Sequence, residues 1–383
     1  MELVKGFKDF TGVEARKREL IKEILTRNFK LYGFEAAETP IVEFEDFVKG
    51  ENSGDEAVSD IFKLQDKVKR KLALRYEFTF QLKRIAQNRK LPYKRFQIGE
   101  VFRDEPVSAN RFRQFTQCDA DIVGSTIKDD AEIIVMSSRI LKDLGIKSRI
   151  NVNNRKLINE ILDEEGIKEK ERVIREIDKI DKLTEKEIKE NLKAYNAEKV
   201  LSIFKKPETF FKKYKSYSEI EELRKACALY DVKINFQPSL ARGLSYYNGT
   251  VVEIKTEEMR ETIVAGGSYL VNNVQSTGIS FGLERIGQIA NVNLSDQKVL
   301  VISIGQDKKA VSLVENLRNK GISSVVMFGK ISKALEFANS YLIPYVVFLG
   351  EDEVKKKKFK LRDMKSGKEE FLAEKALTET LLK

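Results

Sequence analysis

From Arg155 to Lys233 the chain is dense in lysine and glutamate and reads as helix, with patterns such as VIREIDKIDKL and EIEELRKACAL, while strand-patterned runs lie on both sides. That interruption is the strongest constraint on the fold. Before it, KLALRYEFTF, KRFQIGEVFRDE and RFRQFTQCDADIVGS carry β-branched and aromatic residues that partly alternate with polar ones. After it, KINFQPSLARGLSYYNGTVVEIK and ETIVAGGSYLV return to strand character, and TGISFGLERIGQIA is a strand running into a helix. No βαβ rhythm separates these runs, so they predict an α+β core with one mainly antiparallel sheet, begun before the insertion and completed after it.

Capping boxes mark the helices. Thr11 with Glu14 opens a helix that runs to Gly33, Asp129 with Glu132 opens one through LKDLGIK, and Thr184/Glu187 and Ser218/Glu221 start helices within the insertion. From Gln297, KVLVISIG, AVSLVENLRNKG, SSVVMFG, ISKALEFANS and PYVVFLG alternate short apolar strands with helices, which predicts a separate α/β domain of parallel or mixed sheet. The expected organisation is a core in two parts, 1–154 and 234–294, an insertion at 155–233 and a C-terminal domain at 297–383.

With 70 Lys+Arg against 60 Asp+Glu the net charge is +10, a bias toward polyanions such as nucleic acid. The run KKKKFKLR, Lys355 to Arg362, is expected on the last hairpin, either as a solvated strand edge or as a contact to RNA phosphates. Cys118 and Cys227 stand far apart, which predicts neither a disulfide framework nor a zinc site and fits a reducing, cytosolic setting. The N-terminus lacks an apolar signal core and no run approaches the ~20 apolar residues of a membrane span, so a soluble protein without a membrane partner is expected. Histidine is absent altogether. That removes the commonest general base and metal ligand, so no metal site built from His or Cys is expected, and chemistry must run on Arg, Glu, Asp, Gln and Tyr.

The segment FRDEPVSANRFRQFTQCDAD sets Arg103, Arg111 and Arg113 around one polar loop. Such a cluster suits phosphates, although Glu100, Asp104 and Glu105 could also neutralise it as the edge of a hairpin. FRDEP and RFRQF together resemble the second signature motif of class II aminoacyl-tRNA synthetases, and GISFGLERIG resembles the third. YGFEAAETPIVE is similar to the first, whose helix, strand and proline form the dimer interface in that class. SLARGLSYYNGT resembles the signature peculiar to histidyl-tRNA synthetases, while LRYEFT and QCDADIVG look like the archaeal and eukaryotic branch of that family. AGGSY is also similar to the family, and ISKALEFANSYLIPYVVFLGEDE is similar to its anticodon-binding domain.

The resemblance implies a class II synthetase-type antiparallel sheet flanked by helices, and a cytoplasmic, homodimeric histidine–tRNA ligase with no DNA partner. Its substrates would be ATP, with Mg2+ bound mainly through the phosphates, L-histidine and tRNA(His). Arg103 would hold the α-phosphate and the substrate carboxylate, and Arg242 would bring a second cation to the α-phosphate and also belong to the histidine-binding set. Arg285 would grip the γ-phosphate and cover one face of the adenine, Phe115 would stack on the other, and Glu105 and Arg111 would contact the nucleotide. Glu77, Thr79 and Gln117 would accept the α-ammonium. Asp121 and Tyr247 would serve the imidazole, with Tyr246 and Tyr269 lining the pocket.

Two adjacent strand tyrosines alternate faces, so only one of Tyr246 and Tyr247 is expected to reach a given ligand. The amino acid's own carboxylate is the nucleophile in the activation step, which suits a chain without histidine. Ser245 stands where the family commonly has an acidic residue and Ser268 where it has an arginine, both expected to weaken support of the pocket. The loop PVSAN lacks the lysine–glycine pair frequent in bacterial members. A non-catalytic paralogue acting as a regulatory or tRNA-sensing module is the competing reading, which Arg103, Arg242, Arg285 and the C-terminal domain argue against.

Overall fold

The computed structural model describes residues 2–50, 56–108, 111–180, 183–243, 245–294 and 299–382. The end of the PVSAN loop and the expected boundary at Gln297 fall outside them. The chain divides into two compact units, Met1–Asp9 with Ile21–Asn291, and Phe10–Leu20 with Val292–Lys383.

The first helix, α1 (Gly12–Leu31), starts directly after Thr11, with Glu14 in its first turn. It is followed by β1 (Glu35–Ala36), β2 (Val42–Phe44), α2 (Glu45–Lys49), α3 (Glu56–Ser59), β3 (Lys63–Gln65), β4 (Lys71–Leu74) and α4 (Thr79–Ile85). KLALRYEFTF is therefore a strand only as far as Leu74, and its last two residues already belong to a helix. Next come β5 (Tyr93–Phe102), β6 (Gln114–Val123), α5 (Ile127–Asp143) and β7 (Arg149–Asn154). The cap of α5 is Thr126 with Asp129 rather than Asp129 with Glu132. Both pairs fit the i, i+3 spacing, but only Thr126 has extended backbone, with ψ of 176°, and so can face the open amides of the first turn.

The insertion follows as α6 (Arg155–Glu164), α7 (Lys170–Ile177), α8 (Glu185–Lys193), α9 (Lys199–Phe204), α10 (Glu208–Phe211) and α11 (Tyr217–Ala228). The box Thr184/Glu187 caps α8 with both reciprocal hydrogen bonds. Ser218 caps nothing, because α11 already begins at Tyr217. The chain then returns through β8 (Asn235–Phe236), β9 (Tyr247–Lys255), β10 (Val264–Val271), β11 (Val274–Gly282) and α12 (Leu283–Ile289).

Eight strands form one sheet in the order β1-β5-β6-β11-β10-β9-β7-β8. All neighbours are antiparallel except the two edge pairs, β1 with β5 and β7 with β8. Strands from after the insertion thus sit between β6 and β7, and the sheet closes only when both halves are present. The insertion leaves and re-enters at the β7–β8 edge, where it disturbs no interior pairing. Behind the sheet, Ile21, Leu25 and Phe29 of α1 are fully buried, and the Phe29 ring meets those of Phe96 and Phe281 at 5.3 and 5.9 Å. Burying that face leaves the other for Gln117, Asp119 and Asp121, which alternate with the buried Cys118, Ala120 and Ile122 on β6.

In the second unit β12 (Val299–Ser303), α13 (Asp307–Asn319), β13 (Ser324–Phe328), α14 (Ile331–Ser340), β14 (Tyr345–Leu349), α15 (Glu351–Lys356), β15 (Phe359–Asp363), β16 (Glu369–Leu372) and α16 (Glu374–Leu382) build a five-stranded sheet ordered β13-β12-β14-β15-β16. Its first three strands are parallel and its last two antiparallel, a mixed sheet as the apolar runs predict. The run Lys355–Arg362 is not confined to the hairpin. It spans the end of α15 and most of β15, where Lys355 pairs with Glu351 and Lys360 with Glu369, each at 2.6 Å.

Candidate active site

Loop and strand ends on the free face of the large sheet enclose a cavity of about 340 Å³, and every residue expected in the site lines it: Glu77, Thr79, Arg103, Glu105, Arg111, Phe115, Gln117, Asp121, Arg242, Tyr246, Tyr247, Tyr269 and Arg285. Arg113 is not among the lining residues. It faces Asp104 at 3.0 Å, the neutralised hairpin edge that the sequence also allowed.

The cations gather at one end. Arg103 follows β5 directly, its Nε donating to the Tyr76 carbonyl at 3.2 Å and its guanidinium lying 5.2 Å from the centre of the Phe115 ring. Glu105 holds Arg111 through an ion pair. Arg242 lies between β8 and β9, with NH1 2.5 Å from Glu253 Oε1, and its carbonyl accepts from the buried Arg155 at 3.3 Å. Burial opposes the charge of Arg242, yet Glu253, Tyr247 and Asp178 hold its pKa above the ordinary value. Arg285, in the first turn of α12, donates to the Thr262 carbonyl at 2.7 Å. Burial lowers its pKa, and Arg111, Arg242 and Arg103 lower it further against the pull of Glu261. A group of arginines whose mutual repulsion is already felt in a buried site is a receptor for several negative charges at once, as a polyphosphate supplies.

Much of the remaining lining is acidic and phenolic. Asp121 takes the Tyr269 hydroxyl on Oδ1, and its Oδ2 lies 3.0 Å from Arg95, which is fully buried. Burial raises the pKa of Asp121 and of all three tyrosines. Tyr247 faces Tyr269 across the β9–β10 pairing, and Tyr246 stacks between them with ring centres 4.8 and 5.3 Å away. Both adjacent tyrosines therefore reach the cavity, contrary to strict alternation. The reason is local: β9 begins at Tyr247, and Tyr246 sits in the turn before it, where the two-residue period does not apply. Thr79, the first residue of α4, is hydrogen-bonded to the Tyr246 hydroxyl. Two glycines allow this packing, since a Cβ at Gly278 would fall 2.1 Å from Asp121 Oδ1 and one at Gly266 would fall 2.0 Å from the Gly278 carbonyl.

Ser268 does not line the cavity. It lies on the back of β10, where its hydroxyl donates to Asp130 of α5 at 2.8 Å. Burial lifts the Asp130 pKa to about 6, with Thr277, Thr250 and Ser268 as its hydrogen-bond partners. Ser245 sits in the same turn as Tyr246 and is also outside the cavity lining.

Sequence reasoning missed several lining or supporting groups. Asp119 and Ser280 face each other across β6 and β11, and Glu253 and Arg95 hold Arg242 and Asp121. The insertion also contributes Arg175, Asp178 and Lys179 to the lining. Asp119 carried a usable signal, since it shares the alternation of Gln117 and Asp121. The others depend on contacts between strands or loops, or on the docking of the insertion, which no local pattern encodes.

Residues 6–286 match the family described as histidyl-tRNA synthetase, and residues 298–383 match an anticodon binding domain. The chain is 34% identical to Histidine--tRNA ligase 1 of Bacillus cereus over 96% of both chains. It is 35% identical to Histidine--tRNA ligase of Wolinella succinogenes, covering 94% of this chain and 93% of the relative. The crystal structure of histidyl-tRNA synthetase from Nostoc sp. PCC 7120 has the same fold, with a TM-score of 0.87 at 24% identity over 100% of this chain and 98% of that one. With a match that spans both units and a relative 34% identical over 96% of both chains, the chain belongs to the histidyl-tRNA synthetase family.

Proposed function

We propose that the chain is a histidine–tRNA ligase, which activates L-histidine with ATP to histidyl-adenylate and transfers it to the 3′ end of tRNA(His). The observation that carries this reading is the meeting of Arg103, Arg242 and Arg285 around a cavity that Glu77, Thr79 and Gln117 also line. These residues come from segments on both sides of the insertion.

Activation needs positive charge where the α-phosphate gathers negative charge, in a site that does not have to reorganise. Arg103 and Arg242 supply it, and the ion pair with Glu253 fixes Arg242 before substrate arrives. The histidine carboxylate attacks the α-phosphorus, the bond to the β-phosphate oxygen breaks, and pyrophosphate leaves. Arg285 holds the γ-phosphate, Phe115 stacks on the adenine, and Glu105 and Arg111 contact the nucleotide. Glu105 pairs with Arg111, and Mg2+ would be held mainly by the phosphates of ATP, whose negative charge it would help neutralise. At the amino-acid end, Glu77, Thr79 and Gln117 take the ammonium, and Asp121 and Tyr247 serve the imidazole, with Tyr246 and Tyr269 walling the pocket. In the transfer step the ribose hydroxyl at the 3′ end of the tRNA attacks the activated carbonyl, AMP leaves, and the adenylate's own phosphate oxygen accepts the proton.

The core in two parts, 1–154 and 234–294, performs both steps, 155–233 is the insertion, and 297–383 binds the anticodon. A homodimer forms through the segment around Pro40, where Ile41, Val42 and Phe44 are exposed in the single chain. We place the protein in the cytoplasm, where its tRNA is. No helix among the described residues is long and apolar enough to cross a membrane. LRYEFT and QCDADIVG support an archaeal or eukaryotic affinity, whereas the relatives compared above are bacterial. A tree built on the two core parts decides between them, and a position within the bacterial branch would overturn that affinity.

Charging of tRNA(His) with labelled histidine tests the function as a whole. The expected result is ATP-dependent charging of tRNA(His) and of no other tRNA. Activation without charging, or no activity with intact Arg103, Arg242 and Arg285, would favour the paralogue that senses rather than charges tRNA.

A further inference from the structure

Of Arg103, Arg111 and Arg113, only Arg113 stays out of the cavity, although Arg111 and Phe115 on either side of it line the wall. Its guanidinium turns to the loop itself. Nε donates to the Glu105 carbonyl at 3.3 Å, and Nη2 lies 3.0 Å from Asp104 Oδ1. Its backbone is engaged as well. The Arg113 carbonyl accepts from the Arg103 N–H at 2.9 Å, one rung beyond the last β5–β6 pair, Phe102 with Gln114. The Arg113 N–H donates to the Gly6 carbonyl at 2.9 Å, and the Gln114 N–H reaches the same oxygen at 3.3 Å.

Residues 103–107 lie outside any helix or strand, so what their backbone finds elsewhere fixes where they sit. The Asp104 N–H donates to the Asp60 carbonyl at 2.7 Å, and Arg113 takes the Arg103 N–H and the Glu105 carbonyl on either side of it. Arg103 and Glu105 are the two residues of this stretch that line the cavity. Arg113 is anchored in turn by residues 4–7, where the Phe7 N–H donates to the Val4 carbonyl at 3.0 Å. Gly6 has a φ of +89°, and a Cβ there would fall 2.8 Å from Arg113 Cγ. The Phe7 ring pins this turn against Phe62 and Phe102, with ring centres 6.0 and 6.5 Å away.

We propose that Arg113 is a positioning residue which, anchored by the turn at residues 4–7, sets Arg103 and Glu105 where the nucleotide meets them. The proposal rests on reading this cavity as the ATP site. A half-exposed ion pair such as Arg113 with Asp104 adds little to stability, so the contact matters for placement rather than for folding. Groups that meet a polyphosphate act best when their geometry is set before it binds. A guanidinium suits the task because its planar fork reaches a carboxylate and a carbonyl at once, which an ammonium on a flexible stem does not.

The test is Arg113→Met and Gly6→Ala, alone and together, read by equilibrium dialysis of labelled ATP and by histidine-dependent exchange of pyrophosphate into ATP. Neither residue lines the cavity, and Gly6→Ala alters no charge, so a shared effect cannot come from losing a nearby cation. Each single substitution should weaken ATP binding by about 10-fold, with KM for histidine within about threefold of the parent. Arg113→Met should keep nearly the parent's thermal midpoint, which a merely structural role would lower. Because both residues act through one contact, the double variant should lose far less than the product of the two single losses. Arg113→Lys, which keeps the charge but not the fork, should recover only part of the affinity. ATP binding by Arg113→Met within about twofold of the parent, equal losses for ATP and histidine, or losses that multiply in the double variant would overturn the proposal and leave the ligase reading intact. A parent chain that binds ATP without histidine-dependent exchange overturns the ligase reading, and the dialysis series still decides on Arg113. A parent chain that binds no ATP overturns both. If Arg113→Met does not fold, Arg113→Lys and Gly6→Ala are read by the same criteria.

Discussion

In the proposed reaction Arg242 meets the α-phosphate, and its geometry says how its loss should show. Its guanidinium is fixed by Glu253 before any substrate arrives, and in that proposed role it would stabilise charge that grows only as the α-phosphate is attacked. Arg242→Gln should therefore lower the turnover of adenylation by about 100- to 1,000-fold while KM for histidine changes little, measured by single-turnover adenylate formation. A second residue-scale consequence lies behind the sheet. Asp130 is buried among the hydroxyls of Ser268, Thr250 and Thr277, with its folded pKa raised to about 6 against an unfolded value of about 3.9. The folded chain therefore binds a proton that the unfolded chain gives up, so this stabilisation is complete below about pH 4 and is lost as pH rises through about 6. Asp130→Asn should remove that slope and be the more stable of the two chains at pH 7.5, by at most about 3 kcal/mol, in denaturant titrations run from pH 5 to pH 7.5. The arginines were legible in the sequence because charged residues in short loops beside strand runs have few structural duties. Glu253 and Arg95 were not, because each takes its role from a partner outside its own strand, Arg242 in the loop before β9 and Asp121 on β6, and Ser268 was expected to matter at the pocket when it acts from the reverse face.

The strands of the large sheet are readable where long runs carry β-branched and aromatic residues that partly alternate with polar or small ones, as in β5, β6, β9, β10 and β11. Reading failed where one pattern serves two elements. Phe78 and Phe80 continue the apolar rhythm of β4 in sequence, but they belong to the approach and first turn of α4, which is how Glu77 and Thr79 come to face the cavity. Caps were misplaced by three residues at α5, and the box expected at Ser218 does not form, since side-chain spacing alone does not reveal which residue has extended backbone. The β10–β11 pair depends on glycine in a way the motif AGGSY only hints at. A Cβ at Gly266 would stand 2.0 Å from the Gly278 carbonyl, and backbone there cannot yield without parting the strands. Gly266→Ala should destabilise the chain by about 1–3 kcal/mol, visible as a lower thermal midpoint, and should also raise KM for histidine because Gly278 lies against Asp121.

At the level of the whole molecule, the helical stretch from Arg155 to Lys233 announced a discontinuous sheet, and the sheet is discontinuous. Its strand order places β9–β11 between β6 and β7, so Arg103 from one half and Arg242 and Arg285 from the other meet only in the completed fold. The sequence displayed both halves and the separate C-terminal sheet, but not that the insertion would bring Arg175, Asp178 and Lys179 to the cavity, because docking of a polar helical segment leaves no periodic trace. The absence of histidine from the chain fits this architecture, since the one imidazole the site handles is the substrate's. Exchange of labelled pyrophosphate into ATP, run with each of the standard amino acids in turn, tests the central claim most directly. A histidine–tRNA ligase should show exchange with histidine and only background with the rest, and exchange supported equally by another amino acid, or by none, would contradict that function.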